Sequence, residues 1–409
     1  MANSKRQTRE GGADPFPDAA AVERALLARI EQGTLRVPPY PTVALALRKL
    51  VSQENYGLDE VIAMVSTDAA LVADVLRCAN AAFFGRGTVG SVQQAVGRVG
   101  ASQVTRLALV SGLSGLVRTP GPLAPLRREA WEASLSAAAL CQTLAPLRKL
   151  SVESAFVAGL LHDFGWLIGI SALEEMFATL PAVPQRDDSL WHQGIERCHT
   201  QLGMTLAARW NLPPLLCDAI GLHHQDAPQS EFAPFVELVA AADRVLALLE
   251  SEPTISAATL EKVPRLTPLE RQALVDAIAQ LPELVSAFDS EPQGTSAVPR
   301  VHTLAPAPLP EGFHPCEGQV HQLSPRRRGP FALQGLSDSS LVMKGADALP
   351  EKQLVELELV LTPAPLRLWA KVMECRSEAG GCRIECKPFA LNGQTLARWR
   401  ELVAAAARP

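Results

Sequence analysis

The sequence predicts a two-domain protein, in which an all-α helical domain is followed by a small β-barrel. Apolar residues recur at helical spacing from residue 18 to about residue 285. Residues 290–312 are rich in Pro, Ser, Gly and Ala without periodicity, which is typical of a linker. Beyond them, several short segments alternate apolar and polar residues with period two, which indicates strands.

The predicted helical domain covers residues 18–289 and follows a disordered N-terminus of residues 1–17. Its connections are short and contain Pro or Gly, as in a compact helical domain. Thr67 or Asp68 is suited to cap a helix, because its side-chain oxygen can accept from a first-turn N–H. The predicted helices are 19–30, 58–65, 69–79, 92–99, 103–117, 128–144, 154–170, 194–210, 214–223 and 234–249.

The predicted barrel covers residues 313–409. Five or six short strands with one helix favour a small barrel over a flat sheet. The predicted strands are 331–336, 340–344, 354–361, 366–375 and 381–388, and the final helix is 393–407.

Composition and charge exclude several classes of protein. The chain has 409 residues, of which 47% are hydrophobic and 20% charged, and these are values of an ordinary globular protein. Its net charge of −5 argues against a surface that coats nucleic acid, so no nucleic-acid partner is expected.

No segment predicts secretion or membrane insertion. The N-terminal residues 1–14 are polar and lack the apolar stretch of a signal peptide, and no uninterrupted apolar run reaches the roughly 18 residues that span a bilayer. The eight cysteines have no small-scaffold spacing, which favours reduced thiols over disulfides. We therefore expect a cytoplasmic protein.

Several polar residues occupy positions where the helical pattern calls for apolar ones. His162 and Asp163 interrupt an apolar run, and His199, the pair His223 and His224, and Asp243 follow. Burying an aspartate without partners costs on the order of several kcal/mol. A divalent metal ion is one partner that would remove this cost. Any one of these residues alone is better explained as a helix-end histidine or a solvent-facing carboxylate.

Taken in order, these residues resemble the HD superfamily of metal-dependent phosphohydrolases. The chain looks most like the HDOD branch, a set of bacterial signalling domains related to the HD-GYP cyclic di-GMP phosphodiesterases. The resemblance covers about residues 30–250. The matching segments are 38–43 (Pro-Pro-Tyr-Pro-Thr-Val), 67–80, 91–100, 159–165 (Gly-Leu-Leu-His-Asp-Phe-Gly) and 210–213 (Trp-Asn-Leu-Pro).

The departures from the HD pattern concern the metal ligands. HD enzymes carry a further histidine one helix before the His-Asp pair, and Ala133 stands at that position here. Trp166 replaces a lysine that is frequent after the pair, and the Gly-Tyr-Pro segment is absent after His224. Since a methyl group has no lone pair to donate, the resemblance implies an incomplete hydrolytic site, that is, a pseudoenzyme.

The residual set leaves two interpretations open. His162, Asp163 and Asp243 could hold one ion of Mn, Fe or Zn, with His199, His223 and His224 around a second position. Alternatively, the carboxylates orient the histidines in a metal-free hydrogen-bonded network.

The C-terminal segment resembles a PilZ domain, which implies cyclic di-GMP binding through an Arg-x-x-x-Arg element and an Asp/Asn-x-Ser-x-x-Gly turn. The corresponding residues here are Arg326, Arg327 and Arg328, with Ser337 or, in another register, Asp338 in the turn. Both elements are degenerate, because the arginines are contiguous and Gly335 replaces the acidic residue. The arginines are equally well explained as a solvated basic loop.

Three functions follow. The favoured one is non-catalytic signal transduction, in which the helical domain binds signalling proteins and the barrel reads cyclic di-GMP or serves as a docking module. The first alternative is a metal-dependent phosphohydrolase that uses His162, Asp163 and Asp243. The second is an adaptor that binds no ligand.

Overall fold

A computed structural model shows the predicted architecture, a helical domain followed by a closed antiparallel barrel. It describes residues 15–407 except residues 54, 81–87, 181–183, 185–187, 252–254, 289–308, 325–327, 362–363, 379–380 and 392. Most of the predicted linker therefore lies outside the described residues.

The helical domain begins earlier than predicted. Phe16 is 3% exposed, and its ring meets those of Phe177 and Trp191 edge-on at centroid distances of 5.8 and 5.4 Å. The prediction of disorder through residue 17 is therefore wrong at Phe16, because this aromatic side chain is anchored in the core.

The helices match the periodic pattern with four differences. The predicted helix 154–170 is two helices that meet at His162 and Asp163, and 194–210 is likewise divided before His199. Helices α2 and α14 were not predicted. The bounds are α1 Ala19–Glu31, α2 Thr42–Val51, α3 Leu58–Val65, α4 Ala69–Asn80, α5 Val92–Val99, α6 Ala101–Val117, α7 Ala124–Leu144, α8 Val152–Leu161, α9 Phe164–Phe177, α10 Asp188–Glu196, α11 His199–Arg209, α12 Pro214–Leu222, α13 Ala233–Ser251 and α14 Pro268–Phe288.

Side-chain caps explain where several helices begin. Asp68 accepts from the backbone N–H groups of Ala70 and Leu71 at 2.9 and 3.1 Å, so it and not Thr67 caps α4. Helix α14 begins with a reciprocal pair, in which Thr267 and Glu270 each accept from the other's backbone N–H. The interior Pro282 of α14 obscures this helix in the sequence, since proline usually ends a helical pattern.

Helices α8 and α9 form the centre of the helical domain. The stretch Val152–Phe177 is long and apolar enough to cross a membrane by length and composition, and 83% of its most apolar window is buried in the protein. Burial on nearly all sides accounts for its composition, as expected of core helices.

A close contact between α9 and α11 depends on glycine. A Cβ atom at Gly165 would lie 1.9 Å from the carbonyl oxygen of His199 and 2.8 Å from the backbone nitrogen of Gly203. The missing side chain therefore lets the start of α9 touch the start of α11, which brings Asp163 next to His199.

The barrel has the strand order β1-β2-β3-β6-β5-β4, closed by pairing of β1 with β4. Strand β1 was not predicted, because it is mostly polar and contributes few buried apolar residues, such as Val320. Helix α15, Gly393–Ala406, packs Trp399 against the barrel. The strands are β1 His314–Ser324, β2 Arg328–Leu336, β3 Leu341–Gly345, β4 Leu354–Val360, β5 Leu366–Glu378 and β6 Gly381–Pro388.

The two domains contact each other through charged groups and an apolar patch. Glu129 of α7 lies 3.0 Å from Nζ of Lys371 and 3.7 Å from Nζ of Lys352 on the barrel. Lys387 donates to the backbone carbonyl of Glu250 at 2.5 Å, and Phe389 packs against the helical core. The barrel is thus docked on the helical domain.

We predict that Gly165→Ala destabilises the helical domain by about 3 kcal/mol, because the new methyl group would collide with backbone that cannot move independently. Chemical denaturation followed by circular dichroism measures this change. The matched control is Gly97→Ala, since a Cβ at Gly97 meets nothing within 4 Å and the position is helical. The control should be neutral or stabilise by up to about 1 kcal/mol. Equal effects of the two substitutions would contradict the role given to Gly165.

We also predict that Glu129→Gln weakens domain docking by about 1 kcal/mol, because it removes the carboxylate that faces two lysines in a partly buried position. Scanning calorimetry should then show the barrel and the helical domain unfolding further apart in temperature. The control Glu358→Gln removes an ion pair with the largely exposed Arg367 and should leave the traces unchanged. A Glu129→Gln trace identical to that of the wild type would contradict the predicted role.

Candidate metal centre

The six histidines and aspartates singled out in the helical domain come together at one place. His162 and Asp163 connect α8 to α9, and His199 is the first residue of α11. His223 and His224 directly follow α12, and Asp243 lies within α13. The site is therefore built where several helices of the core meet.

Asp163 is at the centre of this cluster. Its Oδ1 atom lies 3.3 Å from Nε2 of His199 and 3.3 Å from Nε2 of His223, and its Oδ2 atom lies 3.3 Å from Nε2 of His162. Asp243 approaches Nε2 of His162 at 3.9 Å and Nδ1 of His224 at 3.8 Å.

The backbone orients three of the imidazole rings. Nδ1 of His162 lies 2.8 Å from the Gly159 carbonyl oxygen, and Nδ1 of His199 lies 2.7 Å from the Glu196 carbonyl oxygen. His223 makes the same kind of contact with Ile220 at 3.0 Å. Since a carbonyl only accepts, each Nδ1 carries the proton, and in the neutral ring the lone pair is on Nε2. These lone pairs face Asp163.

Three buried atoms at the centre lack hydrogen-bond partners among the described residues. They are Nε2 of His162, Nε2 of His223 and Oδ1 of Asp163. A buried polar atom without a partner costs about 1–3 kcal/mol, so a group that binds all three would be stabilising. Nitrogen and carboxylate oxygen atoms in this arrangement are the ligands of Mn, Fe and Zn.

The donor atoms form two overlapping sets whose members all lie within 4.8 Å of one another. One set is Asp163, His199, His223 and His224, and the other is His162, Asp163 and Asp243. Nε2 atoms of His199 and His224 are 3.0 Å apart. Two nitrogen ligands at about 2.1 Å from one ion are about 3.4 Å apart in tetrahedral geometry, so these two atoms would separate by about 0.4 Å to bind a single ion.

The charge state of the cluster favours cation binding. Burial lowers the pKa of His199 and of His224, which keeps these imidazoles neutral and able to donate a lone pair. Burial also opposes charge on His162, but Asp163 and Asp243 raise its pKa to about 10. The two carboxylates thus favour a positive charge beside them. In the absence of a metal ion, a proton on His162 supplies that charge.

The centre is partly exposed to solvent on the side of His224 and Asp243. The rings of His162, His199 and His223 are almost fully buried, whereas the side chain of His224 is 45% exposed and that of Asp243 is 28% exposed. Trp166 covers another side, with its ring stacked on that of His199 at a centroid distance of 6.0 Å. Glu196 was not identified from the sequence, although its carboxylate lies 3.8 Å from Nδ1 of His199, one turn ahead on the chain.

Ala133 lies close to this centre without offering a ligand. A Cβ atom at Gly159 would touch Ala137, Ala138 and Cys141, so α7 and α8 pack side by side at this point. The two helices are joined by a short connection and run antiparallel, so Ala133 lies one turn from this contact in the direction of His162. Ala133 lines a cavity between the two domains.

The residues expected to bind a nucleotide are divided between described and undescribed segments. Arg326 and Arg327 lie outside the described residues. Arg328 donates to the Ala348 carbonyl at 2.6 Å, and the Ser337 hydroxyl accepts from the Ser340 backbone N–H at 2.9 Å. The Asp338 carbonyl accepts from the Trp399 indole at 3.1 Å. Ser337 and the Asp338 backbone therefore stabilise a turn.

All eight cysteines are free thiols in the structure. Burial raises the pKa of the Cys375 thiol to about 11, which leaves it protonated and a poor metal ligand. Among the described residues, neither candidate metal set includes a cysteine.

Comparison with protein families and known relatives agrees with the type of the helical domain. Residues 37–226 match the family model of the HDOD domain. An uncharacterised protein of Treponema pallidum is 26% identical over 238 residues, which cover 56% of this chain and 45% of that protein. A ribonuclease Y of Lactobacillus acidophilus is 30% identical over 141 residues, 34% of this chain and 21% of that protein. The alignments thus span less than half the length of these relatives.

Among solved structures, an HDOD domain protein with unknown function from Geobacter sulfurreducens is similar, with a TM-score of 0.51 and 24% identity. The match covers 65% of this chain and 97% of that one. At this identity the similarity shows the fold alone.

Proposed function

We propose that this chain is a signal-transduction protein of the HDOD type, whose model residues 37–226 match, and that it holds a divalent metal ion and acts by binding. One observation carries the proposal. The lone pairs of three backbone-oriented imidazoles converge on the Asp163 carboxylate, and three buried atoms there have no hydrogen-bond partner among the described residues.

In this proposal the metal ion links the helices of the core. Asp163, His199, His223 and His224 come from separate parts of the chain, so an ion bound in the first donor set would connect the α8–α9 junction, the start of α11 and the end of α12. An ion that binds only the folded state stabilises it, by about 2.7 kcal/mol at one hundred times its dissociation constant. The surface formed by these helices would thereby be held in one conformation for a partner protein.

The missing ligand supports binding over hydrolysis. A bound divalent ion supplies Lewis-acid charge, and its geometry depends on the number of protein ligands. Ala133 contributes no donor near His162, and the aromatic ring of Trp166 takes the place of a lysine beside His199. On the exposed side the chain itself supplies the His224 imidazole and the Asp243 carboxylate, which lie 3.8 Å apart.

A metal-dependent phosphohydrolase is the second candidate. It is favoured by the open side at His224 and Asp243, which leaves room for a ligand next to the donor set. The Lactobacillus relative is named a ribonuclease. If this chain is a phosphohydrolase, cleavage of RNA is one activity to consider.

For the barrel we propose a docking role, supported by its ion pairs with Glu129 and its contact with the helical core. Reading of cyclic di-GMP remains the competing proposal for this domain. The proposed setting of both domains is the cytoplasm, which the eight free thiols support.

We predict that protein purified without chelator contains Mn, Fe or Zn in stoichiometric amount, and that Asp163→Asn lowers the content at least about tenfold, because Asp163 belongs to both donor sets. Mass spectrometry of the metal content measures this effect. The control is Asp276→Asn on the exposed face of α14, which should retain the metal. Wild-type protein without metal would contradict the proposed centre.

The same samples separate binding from hydrolysis. We expect no turnover of bis(p-nitrophenyl) phosphate or cyclic di-GMP by the metal-loaded wild type, and tighter metal binding by Ala133→His, because the variant adds an imidazole near His162. Metal-dependent turnover that Asp163→Asn abolishes would favour the phosphohydrolase instead.

A titration with cyclic di-GMP tests the docking role of the barrel. We expect no saturable heat signal at micromolar ligand in calorimetry, because Ser337 and Arg328 already bond to the backbone. A saturable signal that is lost in the Arg326→Ala, Arg328→Ala double variant, but kept in Arg367→Ala, would identify the barrel as a sensor.

A further inference from the structure

A cavity of about 300 Å³ lies between the helical domain and the barrel. Its helical walls come from α7, α13 and α14, and its barrel walls come from β4, β5 and the end of β6. None of the six residues of the candidate metal centre lines it. The apolar part of the lining includes Leu246, Leu249, Leu281, Leu354, Met373 and Phe389.

Charged groups of both signs line the cavity. Lys352, Lys371 and Lys387 line it from the barrel, Glu129 and Glu132 from α7, and the exposed Glu250 from α13. Since the two signs are equal in number, the preference for an anion depends on which ammonium groups have no carboxylate in close contact.

Two of these lysines have weak charge partners within the described structure. Lys371 lies 3.0 Å from the Glu129 carboxylate, whereas Lys352 is 3.7 Å from the same oxygen atom. Lys387 bonds to a backbone carbonyl and not to a carboxylate. An incoming carboxylate would thus find two ammonium groups that no carboxylate binds closely.

The backbone of Lys352 is held in a left-handed conformation, with φ of 63°. Non-glycine residues adopt this region at a cost of about 1 kcal/mol or more. The Lys352 N–H donates to the Val372 carbonyl at 2.7 Å, and the Val372 N–H donates to the Gln353 carbonyl at 2.9 Å. These bonds fix the base of the Lys352 side chain at the cavity.

The volume limits the size of the ligand. A protein cavity of about 150 Å³ accommodates benzene, which has six carbon atoms. A cavity of twice that volume therefore holds about a dozen non-hydrogen atoms. A ten-carbon fatty acid anion has twelve.

We propose that this cavity binds a medium-chain carboxylate, with its alkyl chain against the leucines and its carboxylate on Lys352 and Lys387. Because both domains supply walls, the bound molecule stabilises the docked arrangement. The site is distinct from the candidate metal centre, so metal content does not depend on it.

Isothermal titration calorimetry with decanoate, below the concentration at which it forms micelles, tests the proposal. We expect saturable binding with one molecule per chain, and binding at least tenfold weaker for decanamide, the neutral analogue. The Lys352→Met, Lys387→Met double variant should lose at least tenfold in decanoate affinity and keep its affinity for decanamide. The control Lys344→Met, at a barrel lysine that pairs with Glu378 outside the cavity, should bind as wild type.

A second variant tests the cavity itself. Met373→Trp fills space from the barrel side and should weaken decanoate and decanamide alike, with an unchanged circular dichroism spectrum and unchanged metal content. Absence of decanoate binding to the wild type, equal affinity for the two probes, or full binding by Met373→Trp would each overturn the proposal.

Discussion

The buried carboxylate of Asp163 is the constraint on which the helical domain is organised. Burial of a charge is costly unless cationic or donating groups surround it. Three imidazole Nε2 atoms lie 3.3 Å from this carboxylate, and a nearby backbone carbonyl orients each ring through Nδ1. Since the neutral rings present lone pairs, a cation or an added proton on His162 must offset the charge. Asp163 reaches His199 because α8 and α9 are separated at this point and because Gly165 has no side chain that would keep α9 away from α11.

The same centre shows how the proposed binding role depends on charge. Asp163 and Asp243 raise the pKa of His162, so a proton on that imidazole offsets part of their charge, and the proposed metal ion would do the same. The protein-binding role proposed for the domain needs this arrangement of helices and does not need hydrolysis. It is therefore compatible with Ala133, which supplies no ligand atom.

The contact between the domains relates the barrel to this centre. Helix α7 carries Ala133 and Glu129, which both line the interdomain cavity, and Glu129 pairs with two barrel lysines. Helix α13 likewise carries Asp243 and, one turn later, Leu246 in the cavity wall. Helix α13 thus contributes both to the candidate metal centre and to the wall of the interdomain cavity.

The sequence alone determined the order of the two domains, most helices, five strands and the identity of the six polar residues. These follow from periodicity and from local motifs, which are properties of neighbouring residues. The helix break at His162, strand β1, helix α14 and the burial of Phe16 depend on contacts between distant segments, so local patterns did not reveal them. Only the tertiary structure decided that His199 and His223 both contact Asp163. Asp163 and His223 are 60 positions apart in the sequence, so they come close only when their helices pack.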